Sequence, residues 1–112
     1  MEELTLWVMQ RAAKMPRAHK FTVGDRLVET CLEVTTSLVE ASFKRDKRAL
    51  LARASRGLTR ARLLARLAHR LGLISEKQSL YFGSESTEVG KMLGGWKRSQ
   101  VRRESPVEDT SA

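Results

Sequence analysis

One run of the chain constrains the fold more than any other. Leu50, Ala54, Gly57, Ala61, Leu64, Ala68 and Leu71 are spaced by alternating steps of four and three. A strand would scatter these positions over both faces of a sheet. A helix gathers them into one seam of heptad spacing that needs a neighbouring helix. From Lys47 to Leu71 such a helix is roughly 37 Å long at 1.5 Å per residue. Ala54, Gly57, Ala61 and Ala68 are small, so the seam allows close approach of a partner. Leu63 and Leu67 do not fit the seam; they project about 100° or more away from it and share a flank with Arg56 and Arg60. Two explanations stand for them: cover by another helix of the same chain, or a contact between subunits.

The remaining segments are helical in period as well. Leu27, Cys31, Val34, Leu38 and Ala41 repeat the four–three spacing, with Val28, Leu32 and Val39 widening the stripe. Phe82, Val89, Leu93 and Trp96 share a face of a later segment, and Leu4, Leu6, Trp7 and Val8 mark a shorter first one. Punctuation separates them. Pro16 closes the first, Thr22 and Asp25 open the second, and Asp46 opens the third. Gly72 ends it, and Ser75-Glu76-Lys77-Gln78 forms a capping box for the fourth. Short links between long amphipathic helices favour antiparallel neighbours. The expected fold is therefore all-α, an antiparallel up-down four-helix bundle over residues 1–100. Residues 101–112 read as a polar, disordered tail.

Composition removes other classes. In 112 residues there is room for one domain. A single cysteine, Cys31, excludes a disulfide framework and any Cys-based zinc site. No apolar run approaches the roughly 20 residues of a membrane span. Met1-Glu2-Glu3 starts an acidic N-terminus with no hydrophobic leader after it. A cytoplasmic protein without membrane contact is expected.

The net charge of +8 is unevenly distributed. Residues 44–70 hold ten cations, Lys44, Arg45, Lys47, Arg48, Arg53, Arg56, Arg60, Arg62, Arg66 and Arg70, against Asp46 alone. Residues 22–43 are acidic, with Asp25, Glu29, Glu33 and Glu40 against Arg26. Lys91, Lys97, Arg98, Arg102 and Arg103 make the end of the chain basic again. Arginine keeps its charge and offers a planar fork matched to phosphate. This pattern points to a polyanion, most commonly RNA or DNA, held through Arg45, Arg48, Arg53, Arg56, Arg60, Arg62, Arg66, Arg70, Lys97 and Arg98. A solvated face offset by the acidic second helix is the plainer alternative. With aromatics at 5%, and Phe82 and Trp96 placed in the core, no stacking platform for bases is evident. Binding should be electrostatic and weakly selective for sequence.

Catalytic groups are scarce. His19 lies in a basic turn and His69 near the end of the third helix, neither with a ligand at metal spacing. Asp25, Glu29 and Glu33 form an acidic stripe, but the Glu-x-x-His pattern of carboxylate-bridged metal bundles is missing. Gly90 with Gly94-Gly95 does not make a phosphate loop; glycines on a helix face suit tight packing. No metal, cofactor or enzymatic activity is expected.

Three short motifs carry a family resemblance. Pro16-Arg17-Ala18-His19-Lys20-Phe21 with Gly24-Asp25-Arg26 resembles the first turn of a bacterial four-helix-bundle family. Arg45-Asp46-Lys47-Arg48-Ala49-Leu50-Leu51 resembles its second turn, and Glu88-Val89-Gly90-Lys91-Met92-Leu93-Gly94-Gly95-Trp96 its last helix. One branch of that family is the accessory variability protein (Avd) of diversity-generating retroelements. The other is encoded in intervening sequences of bacterial large-subunit ribosomal RNA genes. The resemblance implies a barrel-shaped homo-pentamer; the subunit interface at Leu63 and Leu67 is read from their place off the seam. For the Avd branch it implies association with the reverse transcriptase and with template RNA and cDNA, in support of the error-prone copying of mutagenic retrohoming. The arginine-rich third helix leans toward Avd. The ribosomal branch, and a protein-interaction module that binds no nucleic acid, are the alternatives.

Overall fold

A computed structural model describes residues 1–104. These residues contain four main helices and no strand: α1 (Glu2–Ala13), α2 (Asp25–Ser42), α3 (Arg48–Arg70) and α4 (Glu76–Glu104). Between α1 and α2, a single turn at Arg17–His19 runs into a π-helical turn at Lys20–Gly24. The boundaries follow local chemistry. Gly72, at φ +75°, ends α3 in a left-handed conformation that glycine adopts without steric cost. The Leu73 amide then donates to the Ala68 carbonyl at 2.9 Å, and the Gly72 amide to His69 at 3.0 Å. The capping box forms as its residues predict. The Gln78 amide donates to Ser75 Oγ at 3.1 Å, and the Ser75 amide to Gln78 Oε1 at 2.8 Å. Helix α4 runs through Glu104, so the first four residues read as tail are helical. The rest of that tail, 105–112, lies outside the described residues.

Helix α3 is central, with α2 on one side and α4 on the other; α1 lies along α2 and barely meets α4. The core divides into three layers along the bundle. One joins Val34, Leu38 and Ala41 to Leu51, Ala54 and Leu58 of α3 and to Val89 and Leu93 of α4. The next joins Leu4 and Val8 of α1 to Leu27, Cys31, Ala61, Ala65 and Phe82. Met15, Ala68 and Ile74 close the far end. Burial holds the Cys31 thiol protonated, pushing its pKa up to about 12. The five α2 positions predicted for the core are all buried. On α3 the expected stripe is partly corrected: Ala54, Gly57, Ala61 and Ala68 are buried, whereas Leu50 and Leu64 are half-buried and Leu71 is exposed. Leu51, Leu58 and Ala65 take their places. Contact with both α2 and α4 rotates the buried arc about one residue around the helix.

Gly57 brings α2 and α3 together. A Cβ at this position would lie 2.6 Å from Val34 Cγ2, inside van der Waals contact. No other helical glycine is so tightly opposed; at Gly90 a Cβ would meet nothing closer than 3.6 Å.

The α2–α3 turn is fastened from three directions. Gln100 of α4, itself buried, accepts the Lys47 amide at 2.9 Å and donates to the Arg45 carbonyl at 3.2 Å. The Lys47 ammonium turns inward to the carbonyls of Ala41, at 2.6 Å, and Lys44, closing the end of α2. It also lies 5.6 Å from the Trp96 ring centroid. Gln100→Ala leaves the Lys47 amide and Arg45 carbonyl without these partners. The expected cost is about 1–3 kcal/mol. Hydrogen exchange should show faster opening at Lys47 while amides near Ala61 keep their protection.

Candidate nucleic-acid interface

At 100° per residue the arginines of α3 cannot share one face. They separate into two stripes on opposite sides of the buried arc. Arg62 and Arg66 border the groove toward α4, and Arg70 lies one turn past Arg66. Arg53, Arg56 and Arg60 lie toward α2, together with Leu63 and Leu67.

The α4 side is a groove of about 290 Å³ lined by Arg62, Ala65, Arg66, Ser79, Phe82, Gly83, Ser86 and Thr87. Its floor is small and polar. Arg62 Nε donates to Ser86 Oγ at 3.2 Å, and Nη2 reaches Thr87 Oγ1 at 3.5 Å. Those hydroxyls in turn donate to the Gly83 carbonyl, at 3.1 Å from Ser86 and 2.8 Å from Thr87. The Arg62 guanidinium is thus set in direction by neutral partners that leave its charge uncompensated. Arg66 lines the same groove, and Arg70 follows one turn on. Lys97 lies about five turns beyond Ser79 on the same side of α4, past the residues that line the groove. Arg98 folds back along α4: a Cβ on Gly94 would sit 3.3 Å from its Nη1. Glycine there leaves room for the guanidinium, a different use from the tight helix packing expected.

The α2 side has a different character. Arg60, Leu63 and Leu64 share a cleft with Arg26, Glu29 and Thr30 of α2. Glu33 and Glu40 lie on the same helix as Glu29, so the positive potential of Arg53, Arg56 and Arg60 stands beside an acidic helix. Among the described residues, Glu29 and Glu33 form no ion pair within the chain. Leu63 and Leu67 remain 48% and 39% exposed; among the described residues no other helix buries them. Leu32 and Val39, expected to widen the buried stripe of α2, are also exposed.

Arg45 and Arg48 belong to neither stripe; they sit at the α2–α3 turn. Arg48 Nε and Nη2 form a fork on Asp46 at 3.0 and 2.9 Å, and the Arg48 amide adds a bond at 3.2 Å. These bonds hold the Asp46 carboxyl down at about 2, so it stays ionised through physiological pH. The pair opposes Arg48's charge locally. His19 lies in the α1–α2 connection, and His69 lies on the α4 side of α3 next to Arg70. Among the described residues no three His, Cys, Asp or Glu side chains converge on a common point, and no helix is long and apolar enough to cross a membrane.

Residues 1–100, all four helices apart from the last turn of α4, match a family model described as bAvd-like. The chain belongs to the bAvd-like family. No curated protein and no solved structure matches it. The bAvd-like region contains both stripes, the α2–α3 turn and Gln100. Sequence reasoning missed the polar floor of the groove, although Ser79 and Ser86, and Gly83 and Gly90, recur at seven-residue spacing on α4. It also missed Phe43, which is 85% exposed beside Lys44.

Proposed function

We propose that this bAvd-like protein is a non-catalytic accessory of a diversity-generating retroelement. In this reading it binds the reverse transcriptase and holds template RNA and cDNA during error-prone copying. The observation that carries it is the α3/α4 groove. Arg62 and Arg66 line it beside Ser79, Gly83, Ser86 and Thr87, with no carboxylate among its lining residues; Arg70 lies one turn past Arg66 on α3, and Lys97 and Arg98 lie further along α4. Phosphates spaced along a strand suit such a track, and neutral hydroxyls assist without reading bases. The opposite flank is assigned to protein. There Leu63 and Leu67, bordered by Arg53, Arg56 and Arg60, meet a second copy. Exposed Leu32 and Val39 of α2 offer that copy a second, unlike apolar face. Two unlike complementary faces make a head-to-tail contact, which closes into a ring when the rotation allows. A homo-pentamer is such a ring. The protein acts in the cytoplasm, needs no cofactor or metal, and performs no chemistry itself.

Binding of RNA and DNA fragments across a salt series tests the groove assignment. The logarithm of affinity should fall linearly with the logarithm of salt, with a slope set by the number of phosphates neutralised. No detectable binding at low salt, or affinity flat in salt, would contradict the reading.

A further inference from the structure

We propose that Phe43 is a stacking platform for an unpaired base of a single-stranded nucleic acid, presented by the rigid α2–α3 turn. The proposal rests on the nucleic-acid reading above and adds a binding mode that charge alone does not provide. Among the described large hydrophobic side chains Phe43 is the most exposed, at 85%. It lies just past Ser42, the last residue of α2, where the chain turns away and no helix among the described residues covers it. Exposed Lys44 and Arg45 follow it directly.

The turn around it is fixed. The Phe43 amide donates to the Glu40 carbonyl at 3.1 Å and the Lys44 amide to Ala41 at 3.2 Å. Gln100 clamps Arg45 and Lys47 from α4. The Lys47 ammonium ties the Ala41 and Lys44 carbonyls together. Asp46, the one carboxylate in the turn, is occupied by Arg48. The backbone that carries the ring is ordered before binding, so little backbone freedom is lost when a base stacks on it. Every base has a π-face, and flanking cations attract the phosphates on either side. Bases inside a duplex are stacked on one another and do not offer that face.

An exposed Phe also suits a protein contact, and Leu32 and Val39 of α2 are exposed too. Their surroundings differ. Leu32 has Glu29 and Glu33 as its neighbours on α2 and no cation near it in sequence, whereas Phe43 has Glu40 three residues before it and two cations, Lys44 and Arg45, directly after it. The charge at Phe43 favours a polyanion.

The test compares full-length wild type with Phe43→Ala, Phe43→Trp and Lys44→Ala. Each is titrated with a short labelled single-stranded RNA, the single-stranded DNA of the same sequence, and the corresponding DNA duplex. Circular dichroism and light scattering follow fold and assembly. Phe43→Ala is expected to weaken single-strand binding roughly five- to hundredfold and leave duplex binding unchanged. Phe43→Trp should restore it. Lys44→Ala should weaken single strand and duplex alike. A loss confined to RNA or to DNA supports stacking and identifies the strand taken. Unchanged single-strand affinity in Phe43→Ala overturns the proposal, as does an equal loss on the duplex or a change in oligomeric state. Wild type that binds none of the three overturns the nucleic-acid reading itself; wild type that binds while Phe43→Ala is silent overturns only this inference.

Discussion

Changing Arg62, Arg66 and Arg70 together to Glu should remove most nucleic-acid binding while the protein stays helical. Three lost phosphate contacts lower the slope of log affinity against log salt by about 2–3. The added carboxylates repel the backbone as well, so affinity at moderate salt should fall by about a thousandfold or more, three charge-assisted contacts being worth about 1.5–3 kcal/mol each. The matched control is Arg53→Glu, Arg56→Glu and Arg60→Glu. It alters net charge equally but faces an acidic stripe on α2, so its main effect should be on self-association. Anisotropy and light scattering on both triple variants separate the two stripes. If both variants lose nucleic acid equally, the division of the α3 arginines is wrong and net charge alone governs binding.

Gly57→Leu should be the most damaging single substitution in the bundle. At position 57 even a methyl group meets Val34 Cγ2 at 2.6 Å, and Val34 has no exposed surface through which to yield. Gly57→Ala gains about 1 kcal/mol of helix propensity against an overpacking cost of about 1–3 kcal/mol. A net loss of about 1 kcal/mol is expected. Leucine adds three further carbons and should cost at least about 3 kcal/mol, a large share of the roughly 5–15 kcal/mol that holds a domain together. Val34→Ala opens a cavity alone, yet it should offset Gly57→Ala in the double variant. Urea unfolding of the four proteins gives the coupling, expected at about 1 kcal/mol or more. Additive losses would mean that α2 and α3 separate at this crossing without resistance.

Much of this architecture is legible in the residues themselves. Leu27, Cys31, Val34, Leu38 and Ala41 lie on the buried face that their spacing predicts, because α2 has one dominant apolar stripe and a charged opposite side. Helix α3 is harder to read. Leu50, Leu64 and Leu71 share a heptad ridge with the buried alanines, but a helix with neighbours on two sides buries an arc centred between two ridges. Leu51, Leu58 and Ala65 fall within that arc. The ten cations of residues 44–70 show that the region is basic. They do not show that it is divided, since the division depends on which neighbours flank α3: carboxylates on α2, hydroxyls and glycines on α4. Gln100 and its clamp on Arg45 and Lys47 join residues more than fifty positions apart, a distance over which no local pattern carries information. Phe43 looks like any apolar residue ending an amphipathic helix until the turn is seen to leave it uncovered.

The central claim is that this bAvd-like protein works beside a polymerase on nucleic acid. Its most direct test is a pull-down with the reverse transcriptase encoded nearest its gene, at moderate salt, with and without nuclease. The account predicts that the polymerase is retained in both arms, through protein contact that survives removal of the nucleic acid. Absence of the polymerase from both arms would contradict it.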